Sequence, residues 1–162
     1  MKKILVLMAS LLALPVTAGE VTNPYLRASA PGAPNSAGFM VISNPTDQEL
    51  ALVRAEADLA KKVELHNHVN DNGVMRMRQV EKILIPAQGQ VELKPGGYHV
   101  MMMGLNKQLK PGEQETLTLH FSDGSSQTLS VPVKKVQPMM QAGGHKMQHD
   151  MAGGMKKEMH KH

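Results

Sequence analysis

The chain has 162 residues and a formal net charge of +4 at pH 7. This weak charge and only four aromatic side chains do not favour nucleic-acid binding. The absence of cysteine excludes disulfides and the thiolate ligands of blue-copper and dinuclear copper centres. Fourteen methionines and eight histidines leave thioether and imidazole as the prominent metal-binding groups.

Residues 1–18 have the pattern of a secretory signal peptide. Lys2 and Lys3 form a basic start, an apolar run follows from Ile4 to Leu14, and small residues precede Gly19. We therefore predict cleavage before Gly19 and a mature, periplasmic protein. The run is too short to span a bilayer, so we expect no membrane embedding. A lipoprotein needs a cysteine at its cleavage site, so we also expect no lipid anchor.

The central part of the chain alternates short apolar and polar runs with turn signals, which favours strands over helices. The predicted strands are Tyr25–Ala30, Gly38–Ser43, Gln48–Glu56, Lys62–His68, Val74–Val80, Gln90–Leu93, Tyr98–Met103, Gln114–Phe121 and Ser126–Val133. This spacing predicts one all-β domain over residues 19–137, built as an antiparallel sandwich or barrel.

Asn72-Gly73 lies between two strand-like runs and is the strongest hairpin signal in the chain. A two-residue loop would place His68 opposite Met77 and His66 diagonal to it, whereas a four-residue loop would place His66 opposite Met77. Because strand side chains alternate with period two, both registers put four side chains on one face: His66, His68, Met75 and Met77.

A later strand carries the second group of donors. His99, Met101 and Met103 share one of its faces, and a Pro-Gly-Gly turn places His99 near the strand end. The sequence does not show that this strand meets the hairpin. Flexible methionines are common core filler. We expect Met40 and Met102 in the core, and favour the core for Met75 and Met103 while keeping both as further donors. His120 is expected to be a surface or hydrogen-bonded histidine.

Four of these residues, His66, Met77, His99 and Met101, follow the spacing H-x10-M-x21-H-x-M. Their soft and borderline donors suit Cu(I) better than a hard ion. No nucleophile–base pair, phosphate-binding loop or paired carboxylates stand out in the sequence, so we do not expect an enzyme. The competing interpretation is an interaction module whose methionines only fill the core.

The composition changes after Pro138. Residues 138–162 hold no branched aliphatic side chain, so we expect a disordered tail in the absence of metal. Its histidines and methionines indicate capture of a second copper, as Cu(II) through the histidines, or collection of copper for the domain. The candidate donors are His145, Met147, His149, Met151, Met155, Met159, His160 and His162.

Several short segments carry a resemblance to a known family: Glu64-Leu65-His66, Gly73–Arg78, Ile85-Pro86-Ala87, Leu93–Met101 and Met103-Gly104-Leu105. They are similar to the PCu(A)C family of periplasmic copper chaperones. A weaker similarity extends from Ala37-Gly38-Phe39 to about Val133. The family's copper motif falls on His66, Met77, His99 and Met101 without insertion or deletion.

The resemblance implies a cupredoxin-like, Greek-key β-sandwich that binds one Cu(I) near its surface. We also expect the protein to be a monomer. It also implies delivery to the dinuclear copper site of cytochrome c oxidase, through an oxidase subunit or a thiol-bearing assembly chaperone. A periplasmic copper buffer or resistance protein is the alternative. Many relatives carry Met where this chain has His68. His68 is therefore a candidate for a spare or alternative donor, and its imidazole would tolerate Cu(II) better than thioether does.

Overall fold

The computed structural model describes residues 19–135, and all regular structure there is β-sheet. The strands are β1 Glu20–Arg27, β2 Asn35–Asn44, β3 Leu50–Glu56, β4 Ala60–Asp71, β5 Val74–Gln79, β6 Ile83–Ile85, β7 Gly89–Leu93, β8 His99–Leu105, β9 Gln114–Phe121 and β10 Ser126–Lys134. No helix that could cross a membrane occurs among these residues. The signal peptide and the tail predicted from the sequence lie outside them.

The strands form two sheets that share one core and are joined through the pairing of β1 with β10. Their order is β5-β4-β8-β2-β1-β10-β9-β3-β6, and β7 also pairs with β2. β1 and β10 run parallel, with Leu26 beside Val133, while the other pairs in the described part of the chain are antiparallel. Buried residues of both sheets, such as Met40 and Leu117, belong to one hydrophobic cluster. The predicted all-β sandwich is confirmed, with one parallel pair that was not expected.

Each predicted strand overlaps an observed one, but two details differ. β1 begins at Glu20, earlier than predicted, because a register shift between Thr22 and Tyr25 and a positive φ of 50° at Asn23 interrupt its alternation. β6 was missed because it is only three residues long. Such a short segment has too few positions to show a period of two.

The hairpin between β4 and β5 adopts the two-residue loop. Asn72 and Gly73 both have positive φ, 52° and 86°, as a type I′ turn requires. Asp71 therefore pairs with Val74, and His68 pairs with Met77. The four-residue alternative, which would have placed His66 opposite Met77, does not occur.

The methionines divide between the core and the outer surface. Met40 and Met102 are buried, as expected, with 2% and 0% exposure. The core prediction for Met75 is wrong, since it is 56% exposed. Met75 lies on β5, which ends the sheet and has six exposed residues. The core prediction for Met103 is also wrong. Met103 is only partly buried, because its neighbour Met102 faces the core and strand side chains alternate.

Candidate metal centre

Three neighbouring strands bring the four motif residues together. β4 lies between β5 and β8. On one side His68 pairs with Met77, and on the other His66 pairs with His99 while Glu64 pairs with Met101. The two halves of the motif therefore meet on one sheet, which the sequence could not show.

These side chains lie on the outer face of that sheet. The intervening residues Leu65, Val100 and Met102 point into the core, with exposures of 4%, 0% and 0%. Alternation therefore turns His66, His99 and the residues in register with them away from the core. The candidate site is a surface feature held by a rigid core beneath it.

His99 is buried although it lies on this outer face, with 2% exposure. Three rings surround its imidazole at centroid distances of 6.3 Å for Phe39, 5.8 Å for His66 and 5.2 Å for His68. With metal–nitrogen bonds of about 2 Å, two imidazoles on one ion have centroids roughly 4.5–6.5 Å apart. The separations of both histidine pairs fall within that range.

A cleft of about 380 Å³ opens over His99. His68, Met77 and Met101 line it together with Phe39, whereas His66 does not line it. Arg27–Ala30, Ala33 and the Pro95-Gly96 turn form its other walls. Met77 is 46% exposed. The buried imidazole thus forms an inner end of the donor group, and the Met77 thioether lies at its solvent side.

Hydrogen bonds to two histidines leave one free nitrogen on each ring. His99 Nδ1 donates to the Gly97 carbonyl at 3.0 Å, and His66 Nε2 donates to Glu64 Oε2 at 2.7 Å. The remaining nitrogens, His99 Nε2 and His66 Nδ1, are buried without a hydrogen-bond partner, as is His68 Nδ1. Unpaired buried polar atoms are uncommon and costly. Metal-bound histidines usually donate their other N–H to a carbonyl or carboxylate, as these two do.

The pKa of the buried His99 favours its neutral form. Burial lowers the pKa of His99 below its ordinary value, with the Gly97 hydrogen bond opposing and the nearby His68 and His66 adding to the shift. The hydrogen bonds from His66 and then Lys62 lower the pKa of the Glu64 carboxyl. The site therefore combines a neutral, metal-competent imidazole with an ionised carboxylate.

The other sequence candidates are placed as follows. Met75 precedes Met77 by two residues on β5 and pairs with Asn70. Met103 follows Met101 by two residues on β8 and pairs with Lys62. His120 donates from Nε2 to Glu56 at 2.9 Å, which confirms a hydrogen-bonded histidine. The tail donors lie outside the described residues. Within residues 19–135, no three His, Asp or Glu side chains are arranged to hold a metal ion; two imidazoles with two thioethers form a donor set outside that class.

Sequence reasoning missed Glu64 and Phe39. Glu64 precedes His66 by two residues, so their common strand face was a signal for this contact. Nothing local indicated that the ring of Phe39, on β2, would pack near His99, because that contact depends on the pairing of β2 with β8.

Comparison with known proteins agrees with this architecture. The family model described as LpqE-like matches residues 20–133. The solution structure of Cu(I)-DR1885 from Deinococcus radiodurans is 35% identical, with a TM-score of 0.60, over 78% of this chain and 83% of that one. A copper-bound PCuAC domain from PmoF2 shares the fold at 22% identity and a TM-score of 0.63, over 74% of this chain and 94% of that domain. The chain belongs to the PCu(A)C family, written PCuAC below.

Curated relatives of this PCuAC protein are also similar over most of the domain. A candidate lipoprotein of Leifsonia xyli subsp. xyli is 34% identical over 116 residues, covering 71% of this chain and 69% of the relative. An uncharacterized protein of Rickettsia prowazekii is 29% identical over 67% of this chain, and the match spans 61% of that relative. The cupredoxin-like β-sandwich that the resemblance implied is confirmed for the PCuAC domain.

Proposed function

We propose that this PCuAC protein is a periplasmic copper chaperone that binds Cu(I) through His66, Met77, His99 and Met101. The observation that carries the proposal is the pair of buried imidazole nitrogens without partners, His66 Nδ1 and His99 Nε2, on the sheet face that also carries both thioethers. The DR1885 structure, which is named as a Cu(I) form, supports copper as the cargo. The protein carries the ion and catalyses no reaction.

The chemistry of the donors favours the monovalent ion. Thioether sulfur is a soft ligand and imidazole a borderline one, so the set suits Cu(I) better than Zn(II) or Cu(II). All four donors are neutral, and the bound unit carries a single positive charge. Selectivity then depends on softness rather than on a high total affinity for divalent ions.

The position of the donors suits transfer to another protein. Met77 lies on the edge strand β5 and is 46% exposed, whereas His99 lies at the buried end of the set. A thiolate of an acceptor can displace Met77 first and reach the buried imidazole last. We propose that the acceptor is an oxidase subunit with a dinuclear copper site, or a thiol-bearing assembly chaperone, met by a monomer of this protein.

The remaining donors take secondary roles in this proposal. His68 is an additional ligand available to Cu(II), while Met75 and Met103 flank the main set as reserve donors. The tail binds a second copper, as Cu(II), through its histidines.

The site is tested by X-ray absorption on the Cu(I)-loaded protein. To remove the contribution of the candidate tail donors, we use the full chain with those eight residues replaced by Gln, called the tail-substituted chain. Mixed nitrogen and sulfur neighbours are expected around a single copper. Only nitrogen and oxygen neighbours, or no bound Cu(I), would contradict the proposed ligands.

Transfer is tested separately from binding. The Cu(I)-loaded protein is mixed anaerobically with a reduced, copper-free acceptor domain that carries the dinuclear site. A chaperone passes its copper to the acceptor thiolates. Copper that stays on this protein at equilibrium would instead indicate a buffer or resistance protein.

A further inference from the structure

We propose that Glu64 is a positioning residue of the copper centre, which selects the tautomer of His66 and balances the charge of the bound ion. The proposal rests on the Cu(I) site proposed above and adds a residue outside its four ligands. It assigns to Glu64 an effect on copper that a simple surface ion pair would not have.

The carboxylate contacts the site directly. Glu64 lies two residues before His66 on β4 and opposite Met101 on β8. Its side chain is 9% exposed, and one oxygen accepts the His66 Nε2 hydrogen at 2.7 Å. The other oxygen pairs with Lys62. Both carboxylate oxygens are thus engaged, in a location where water has little access.

The hydrogen bond to His66 decides which nitrogen is available to a metal. A neutral imidazole carries one N–H and one lone pair, and either nitrogen can hold the hydrogen. Because Nε2 donates to Glu64, Nδ1 keeps the lone pair, and Nδ1 is the buried atom without a partner. Without the carboxylate, the ring could adopt the other tautomer or turn about its side-chain bonds. Loss of such an outer partner typically lowers metal affinity about 10- to 100-fold.

The charge of Glu64 has a second effect, because the four proposed ligands are all neutral. A carboxylate beside the imidazole stabilises the positive charge of bound copper, and it stabilises Cu(II) more than Cu(I). Lys62 opposes this only in part, since its side chain is 67% exposed and exposed charges are strongly screened by water. Removal of the carboxylate should therefore raise the Cu(II)/Cu(I) potential as well as weaken binding.

Two other pairs in the protein provide the comparison. Glu92 also pairs with a lysine two residues away, Lys94, but is 54% exposed and is not hydrogen-bonded to a histidine. Glu56 accepts a hydrogen bond from His120 at 2.9 Å on the second sheet, away from the cleft. Glu56→Gln is therefore a matched control, since it changes a histidine–glutamate pair outside the site.

The test uses Glu64→Gln, Glu64→Leu and Glu56→Gln in the tail-substituted chain. In the metal-free proteins, the nitrogen chemical shifts of His66 report its tautomer. Glu64→Gln keeps an acceptor oxygen but removes the charge, so we expect the same tautomer, weaker Cu(I) binding and a higher potential. Glu64→Leu removes both effects, so we expect a mixture of tautomers and a loss of Cu(I) affinity of about 10- to 100-fold. Glu56→Gln should match the parent chain in all three measurements.

The outcomes separate this proposal from the proposed function. If the parent chain binds Cu(I) and both Glu64 variants retain its affinity, its potential and the His66 tautomer, the role of Glu64 is refuted while the copper site stands. If the parent chain binds no Cu(I), the proposed function fails, and the tautomer measurement still decides whether Glu64 positions His66. Should Glu64→Leu fail to fold, Glu64→Gln decides the charge effect through affinity and potential.

Discussion

His66 and His99 are direct partners across β4 and β8, with ring centroids 5.8 Å apart. They are separated by more than thirty residues of sequence, and their pairing joins the hairpin donors to those of the later strand. Their sequence neighbours Leu65 and Val100 are buried, so the strands that carry the two imidazoles are packed on the core. The geometry of the donor set therefore depends on the register of these two strands.

Joint replacement of two proposed ligands should abolish high-affinity Cu(I) binding. We expect His99→Ala with Met101→Ala to weaken Cu(I) binding more than about 100-fold, since loss of an outer hydrogen-bond partner alone costs up to that factor. The measurement is anaerobic competition with a chromogenic Cu(I) chelator in the tail-substituted chain. His120→Ala is the control and should bind as the parent does. Unchanged affinity in the double variant would show that these two residues are not ligands, and would favour the interaction module whose methionines only fill the core.

Substitution of Met102 should affect stability, whereas substitution of Met77 should affect Cu(I) binding. Met102 is fully buried, so Met102→Ala should lower the free energy of unfolding by about 2–5 kcal/mol through lost packing and a cavity. Met77 is 46% exposed, so Met77→Leu should leave stability nearly unchanged but weaken Cu(I) binding. Urea unfolding of the metal-free proteins and Cu(I) competition measure the two effects. A Met77→Leu protein that binds Cu(I) normally would remove Met77 from the ligand set.

His68 should matter for Cu(II) more than for Cu(I). Its ring is 5.2 Å from that of His99, and its Nδ1 has no partner, so it can add an imidazole when the harder ion is bound. We expect His68→Met to lower Cu(II) affinity while Cu(I) affinity stays within a small factor, because thioether suits the softer ion. Electron paramagnetic resonance of the Cu(II) form of the tail-substituted chain should show fewer coupled nitrogens in the variant. An identical spectrum would mean that His68 does not touch the ion.

The metal-free protein should lose stability as the pH falls below neutrality. Burial lowers the pKa of His99 from its ordinary value of 6.5. Just below that pH, the His99 imidazole is therefore protonated in the unfolded chain but still neutral in the folded chain. The free energy of unfolding therefore drops as the pH falls from 6.5 toward the lower pKa of the folded state, and this contribution is fully recovered above 6.5.

Urea midpoints on the acidic and basic sides of neutrality measure the dependence, with His99→Gln as the comparison. The variant has no titrating ring at this position, so its stability should change less with pH than that of the parent. Equal pH dependence in the two proteins would show that His99 does not supply the effect.

Local features of the sequence determined much of this protein. Alternation located nine of the ten strands, since a side-chain period of two is visible within a single strand. Asn72-Gly73 predicted a hairpin because few other residue pairs tolerate two consecutive positive φ angles. Alternation of side chains along the two strands puts His66, His68 and Met77 on one face for either length of the hairpin loop.

Only the tertiary structure decided which strands are neighbours and which face is covered. The pairing of β4 with β8 and of β2 with β8 joins segments far apart in sequence, and periodicity within each strand carries no information about its partner. For the same reason Met75 was assigned wrongly, since alternation says which residues share a face but not whether that face meets the core. Whether the donor-bearing face is exposed to solvent depends on where the second sheet packs. That packing is a property of the whole chain rather than of any one segment.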